Sequence, residues 1–327
     1  MRRRDFIKVI AGSAVAWPLA SNAQQADYVR RIGVLMGYAE DDPETKPRLA
    51  AFRQMLEKRG WSEGRNVRIE TRFAPGGNYE PLAKELVVTQ PDVILAHTTP
   101  VAAALLRATQ VIPVVFVNVS DPIGSGFVAN LARPGGNFTG VLLYEAGVVG
   151  KWLAMLKEIA PRVERVALVA NPKTSPYDYF LRAAEAAATS LAIKISPNPV
   201  ATAADIERTI ESFAAAPNGA LLLSPDGTTI LHRDLIIALA SRHKLPAVYA
   251  YRLFVAAGGL MSYETDQVAL FRLAASYVDR ILRGDKPADL PVQAPTKFET
   301  IVNVRTAKAL DLTVPPGLLV AADEVLE

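Results

Sequence analysis

The chain has 327 residues, half of them hydrophobic, no cysteine and a formal net charge of +3. Without cysteine, disulfides, thiol nucleophiles and Cys-type zinc sites are excluded together. The charge excess sits entirely at the start, in Arg2, Arg3, Arg4 and Lys8 against Asp5, so residues 24–327 balance to neutrality and offer no electrostatic footprint for nucleic acid or anionic lipid.

The first element is a leader. Arg3-Arg4, then Phe6-Ile7 and Lys8, has the pattern of a twin-arginine export signal. A weakly apolar stretch over 9–20 follows, broken by Gly12 and Pro18 and too short to span a bilayer, and Ser21-Asn22-Ala23 offers a small-x-small cleavage site. The expectation is export to the periplasm with cleavage after Ala23; the alternative is a disordered basic N-terminus.

From Arg31 onward, short Val/Ile/Leu runs alternate with helix-period segments. Strands are predicted at 32–36, 67–73, 92–96, 113–117, 165–170, 191–195, 220–223 and 246–249. Helices are predicted at 46–59, 79–89, 100–109, 148–159, 176–190, 203–214, 231–243 and 267–283. This is the signature of βαβ units on a parallel sheet, closed as a barrel or split into two doubly wound lobes. The Gly- and Pro-rich segment 120–140 interrupts the rhythm near the midpoint, the rhythm restarts at Lys151, and a second irregular segment spans 284–295. Two lobes joined by a hinge follow: residues 24–142 plus 265–289, and residues 143–264 plus 290–327.

Four predicted strands end alike, in polar residues and then proline: His97-Thr98-Thr99-Pro100, Asn118-Val119-Ser120-Asp121-Pro122, Asn171-Pro172, and Ser224-Pro225-Asp226. Ligands of open parallel sheets bind outside the carboxyl ends of the strands. Threonine followed by proline opens a helix whose free N–H groups suit an anion. Tyr38, Tyr249 and Tyr251 follow strands at matching places and supply flat apolar contact with one polar tip. The candidate ligand-binding set is therefore Tyr38, Thr98, Thr99, Asn118, Asp121, Asn171, Asp226, Tyr249 and Tyr251. A ligand carboxylate is assigned to the Thr98-Thr99 helix start, and an amine to Asp121 or Asp226. Each residue by itself equally reads as ordinary capping or turn chemistry.

Other signals carry less. Gly124-Ser125-Gly126-Phe127-Val128-Ala129 matches a dinucleotide fingerprint but follows the fourth strand and lacks its acidic partner. His97, His232 and His243 have no metal-ligand spacing, and no G-x-S-x-G elbow occurs. Neither a catalytic group, a metal nor a cofactor is expected.

Long strings carry a resemblance over nearly the whole chain. They are Gly60-Trp61-Ser62-Glu63-Gly64, Asn118-Val119-Ser120-Asp121-Pro122, Leu131-Ala132-Arg133-Pro134-Gly135-Gly136-Asn137, Gly258-Gly259-Leu260-Met261-Ser262-Tyr263 and the ending Ala322-Asp323-Glu324-Val325. Together they resemble the solute-binding proteins of ABC transporters that include tryptophan-binding members. The resemblance implies a type I periplasmic-binding-protein fold, a ligand captured between the lobes and a membrane permease as partner; the expected ligand is a small carboxylate-bearing molecule, amino-acid-like or aromatic, and the expected state a monomer. Glu264, where that family usually has glycine, and His97, where it usually has a small or amidic residue, are departures that bear on ligand identity; Asp311 in place of glycine bears on a helix end. An exported enzyme, or the sensor lobes of a regulator, are the alternatives on the same layers.

Overall fold

The computed structural model describes residues 29–327; the leader expected at 1–23 lies outside them. The chain builds two α/β sheets. The first contains β1 (Arg30–Met36), β2 (Val67–Phe73), β3 (Val93–His97), β4 (Val114–Val119) and β5 (Phe138–Leu142), in the order β2-β1-β3-β4-β5 and parallel throughout. Helices α1 (Thr45–Lys58), α2 (Tyr79–Val88) and α3 (Thr99–Ala108) connect its strands. Because helices cover both faces, β3 and β4 are buried along their whole length, and their unbroken apolar runs are the consequence.

The second sheet contains β6 (Arg165–Ala170), β7 (Lys194–Pro199), β8 (Gly219–Leu223), β9 (Ala247–Tyr249), β10 (Met261–Thr265), β11 (Phe298–Asn303) and β12 (Glu324–Leu326). Its order is β12-β11-β10-β9-β8-β6-β7, parallel except where β11 runs against β10. Around it lie α4 (Val148–Ile159), α5 (Tyr177–Ala188), α6 (Ala203–Ala214), α7 (Gly227–Leu231), α8 (Arg233–Arg242) and α9 (Arg252–Ala256), with α11 (Val304–Ala309) and α12 (Pro316–Ala321) near the end of the chain. This is the two-lobe, doubly wound architecture, and no closed barrel forms.

The chain passes between the sheets three times. It leaves β5 for α4, which packs on β8, β9 and β10. It returns from β10 into α10 (Gln267–Leu282), which packs on α1, β3, β4 and β5. It then runs beside β5, where Leu142 N–H donates to Gln293 O at 2.8 Å, before entering β11. Several crossings make a hinge, since each can bend while both sheets stay rigid.

The structure departs from the sequence pattern in several places. The strand expected at 191–195 begins later, because Thr189–Leu191 form a 3-10 turn and Ala192 takes a left-handed φ of 51°. That strand carries Pro197 and Pro199, which an edge strand such as β7 tolerates. The helix expected at 231–243 is two helices broken at His232, with φ −104° and ψ 23°. Within the irregular segment, 138–142 forms β5 after all: a Cβ on Gly140 would lie 2.0 Å from Phe116 O, so glycine is what allows the two strands to approach. Strands β10 to β12 have no long apolar run to announce them; pairing alone makes them strands.

Candidate functional site

The carboxyl ends of both sheets face one cleft. The first sheet brings Gly37 and Tyr38 after β1, Thr98 and Thr99 after β3, and Asn118 and Ser120 at the end of β4; the second brings Thr174, Asp226 and Tyr251. Together they line a small inner cavity of about 30 Å³. An outer chamber of about 930 Å³ adjoins it and shares Tyr38, Tyr79, Pro100 and Thr174. The outer volume is that of a small-molecule site.

The backbone here is unusual. Thr98, Asn118 and Asp121 have φ of 84°, 59° and 52°. A left-handed β-branched threonine is a genuine outlier, and such strain gathers at ligand sites. These residues turn the chain sharply at the strand ends, and Thr98 and Asn118 line the cleft. Thr99 Oγ1 accepts from Ser120 N–H at 3.1 Å, tying the ends of β3 and β4 together. Thr98 Oγ1 and Ser120 Oγ have no hydrogen-bond partner among the described residues.

Tyr38 packs edge-on against His97, centroids 4.7 Å apart, with the Arg48 guanidinium 5.4 Å from its ring centre. Burial pushes the Tyr38 and Tyr251 phenols above their ordinary value and takes Tyr79 to about 12, so all three walls of the cleft are neutral at physiological pH. His97 is fully buried beneath Tyr38, and desolvation holds it well below the usual imidazole range.

Asp226 has a structural task. One carboxylate oxygen accepts from Asn171 N–H and Thr229 N–H, both at 3.0 Å. The other accepts from Thr228 N–H at 3.1 Å and from the Thr174 hydroxyl. Burial still raises its pKa against these four pulls. With its acceptor positions filled from within, Asp226 staples the loops after β6 and β8 and caps α7, leaving little of it for a ligand amine. Asn171 is similarly engaged, donating to Thr228 Oγ1 at 2.9 Å while it lines the outer chamber.

Two of the sequence-derived candidates lie elsewhere. Asp121 accepts from Gly124 N–H at 2.9 Å within its own turn and lines neither compartment. Tyr249, the last residue of β9, points away from the cleft and stacks on Phe254 at 4.6 Å beside Gly259. Tyr251, two residues later and past the strand, is the one that reaches the cavity. Conversely, Tyr79, Ser120 and Thr174 line the cleft and were not among the candidates. Ser120 lies in the same polar strand end as Asn118, a signal that was available; Tyr79 opens α2, and nothing local marks it.

Among the described residues no group of three or more His, Cys, Asp or Glu side chains is placed to hold a metal. No described helix is long and apolar enough to cross a membrane.

The family model for ABC transporter substrate binding protein matches residues 42–326. The chain belongs to that family. The tyrosine-binding protein of Clostridioides difficile is 24% identical over 296 residues, covering 90% of this chain and 85% of the relative. Among solved structures, the ABC domain of Streptococcus pneumoniae in complex with L-Trp superposes with a TM-score of 0.84 at 24% identity, over 91% of this chain and 99% of that one. A ligand-free, open substrate-binding protein with adhesive properties from Clostridium difficile superposes at 0.69, with 25% identity and the same coverage. The family and these neighbours are binding proteins, which agrees with a cleft built of hydroxyls and tyrosines.

Proposed function

We propose that this chain is an exported, monomeric solute receptor that takes up a small carboxylate-bearing ligand, amino-acid-like or aromatic, between two lobes and delivers it to an ABC-type membrane permease. The lobes are residues 24–142 plus 265–289 and residues 143–264 plus 290–327. The observation that carries this reading is the convergence of both sheets' carboxyl ends on one tyrosine-walled cleft. In that cleft, the α3 start and the Thr98 and Ser120 hydroxyls offer hydrogen bonds that no described residue takes up. A helix start leaves N–H groups unsatisfied and carries partial positive charge, both favourable to a carboxylate. Tyr38, Tyr79 and Tyr251 cover an apolar or aromatic body. The better superposition on the L-Trp complex than on the open form, at matched coverage, supports a closed arrangement of the lobes.

Closure completes the site and alters the outer face that a permease meets, so ligand occupancy becomes a shape signal. The test is a thermal-shift screen of amino acids, with L-tyrosine and L-tryptophan included. A ligand held at about 100 times its dissociation constant adds about 2.7 kcal/mol to stability. No shift with any amino acid would refute the ligand class. Fractionation tests export: Arg3→Lys with Arg4→Lys should leave the precursor in the cytoplasm, and unchanged export would remove the twin-arginine reading.

A further inference from the structure

Beneath the cleft four buried side chains form one polar chain: His97 at the end of β3, Asn118 in β4, Gln267 at the start of α10 and Thr265 at the end of β10. They are 0%, 3%, 7% and 1% exposed. A neutral imidazole offers one N–H donor and one bare acceptor nitrogen. Gly37 N–H points at Nδ1 of His97 from 3.3 Å, which makes Nδ1 the acceptor and puts the proton on Nε2. Nε2 in turn lies 3.2 Å from one arm of the Asn118 amide.

That arm has to be the oxygen. An NH2 group there would face the imidazole N–H, and two donors in contact in a dry interior leave both unsatisfied. Oxygen and nitrogen of an amide have nearly the same shape, so the partners decide which is which. The same Asn118 arm contacts the near terminal atom of Gln267. With oxygen on Asn118, that atom is Gln267 Nε2, which donates to it. The other Gln267 arm, 2.9 Å from Thr265 Oγ1, is then an oxygen that accepts the threonine hydroxyl. The assignment gives up only a 3.5 Å approach to the Thr265 carbonyl, at the outer limit for a hydrogen bond. Gly37 N–H, His97 Nε2–H, one N–H of Gln267 and the Thr265 hydroxyl then each meet an acceptor.

The second arm of the Asn118 amide has no partner among the described residues, and Asn118 lines the inner cavity. We propose that this arm is the NH2 group, locked toward the ligand by His97 and Gln267, and that Asn118 is a specificity-determining donor selecting a carboxylate or carbonyl oxygen. The free hydroxyls of Thr98 and Ser120 line the same cavity and complete a donor-rich floor. The opposite amide orientation would present an oxygen, which repels a carboxylate. Since Thr265 and Gln267 flank the crossing from β10 to α10, the hinge segment itself holds this donor in place. The inference rests on the carboxylate-ligand reading, but its structural half can be tested without any ligand.

Long-range proton–nitrogen NMR on the 15N-labelled protein, with His232→Gln and His243→Gln so that only His97 remains, reads the tautomer directly. The expected result is a protonated Nε2 and a bare Nδ1; a protonated Nδ1 would overturn the assignment. In the second arm, L-tryptophan and L-tyrosine are titrated in. The Asn118 side-chain NH2 resonances, assigned by their absence in Asn118→Asp, should shift on binding. Asn118→Asp should also weaken binding by about 30-fold, as loss of a hydrogen bond to a charged group implies. Unchanged affinity in Asn118→Asp would overturn the selective role. If neither amino acid binds the parent protein, the amino-acid reading fails, while the tautomer still upholds or overturns the donor orientation.

Discussion

Glu264 gives the structure a measurable pH dependence. It lies on β10, 3% exposed, and loss of hydration drives its pKa from an ordinary 4.5 to about 8, against the pull of the Arg252 backbone N–H and the Arg48 guanidinium. The unfolded chain therefore releases this proton near pH 4.5, and the folded chain keeps it until about pH 8. Between those values the folded state binds more protons, so stability falls as pH rises. Each unit of difference is about 1.36 kcal/mol. The cost at pH 7 is then about 3 kcal/mol and rises to about 4 kcal/mol at pH 8. Glu264→Gln keeps the shape of the neutral side chain and abolishes the titration. Urea denaturation of parent and variant at pH 5, 6, 7 and 8 should give curves that nearly coincide at pH 5. The variant should then gain steadily, reaching about 3 kcal/mol at pH 7. A stability difference that stays constant across the range would show that Glu264 ionises normally in the fold.

Asp226→Ala strands Asn171 N–H, Thr228 N–H, Thr229 N–H and the Thr174 hydroxyl and uncaps α7; a loss of about 2–4 kcal/mol is expected in chemical denaturation, and unchanged stability would refute the stapling role. Thr98→Val preserves shape and removes a hydroxyl with no partner among the described residues. It should therefore leave the denaturation midpoint in place while weakening an identified amino-acid ligand about tenfold by calorimetry; equal affinity would place the carboxylate elsewhere. Gly140→Ala drives a Cβ to 2.0 Å from Phe116 O and should lower stability by more than about 3 kcal/mol; a normal midpoint would mean that β4 and β5 separate without cost.

Periodicity was enough for the elements whose own residues define them. Helix α4 runs over the predicted 148–159, because its apolar stripe buries Val149, Trp152, Leu153 and Leu156 on one face. Helix α6 runs over the predicted 203–214, because Thr202 and Asp205 close a capping box at its start. The strand-end rule brought Tyr38, Thr98, Asn118 and Tyr251 to the cavity, since βα connections leave the carboxyl ends of parallel strands open. It could not separate Tyr249 from Tyr251, because which tyrosine faces the cleft depends on where β9 stops.

The alternation of apolar runs and its Gly- and Pro-rich interruptions thus determined the fold class and the division into two sheets. Those properties follow from local periodicity and backbone hydrogen bonding. The occupancy of each polar group was decided only by tertiary structure. Asp226 lost its free acceptors to donors that include Asn171, 55 residues away. Glu264 acquired its raised pKa from burial. The orientation of Asn118 depends on Gln267, 149 residues along the chain. A side chain's hydrogen-bonding capacity is written in its residue type, but what remains of it for a ligand is set by the neighbours that folding brings.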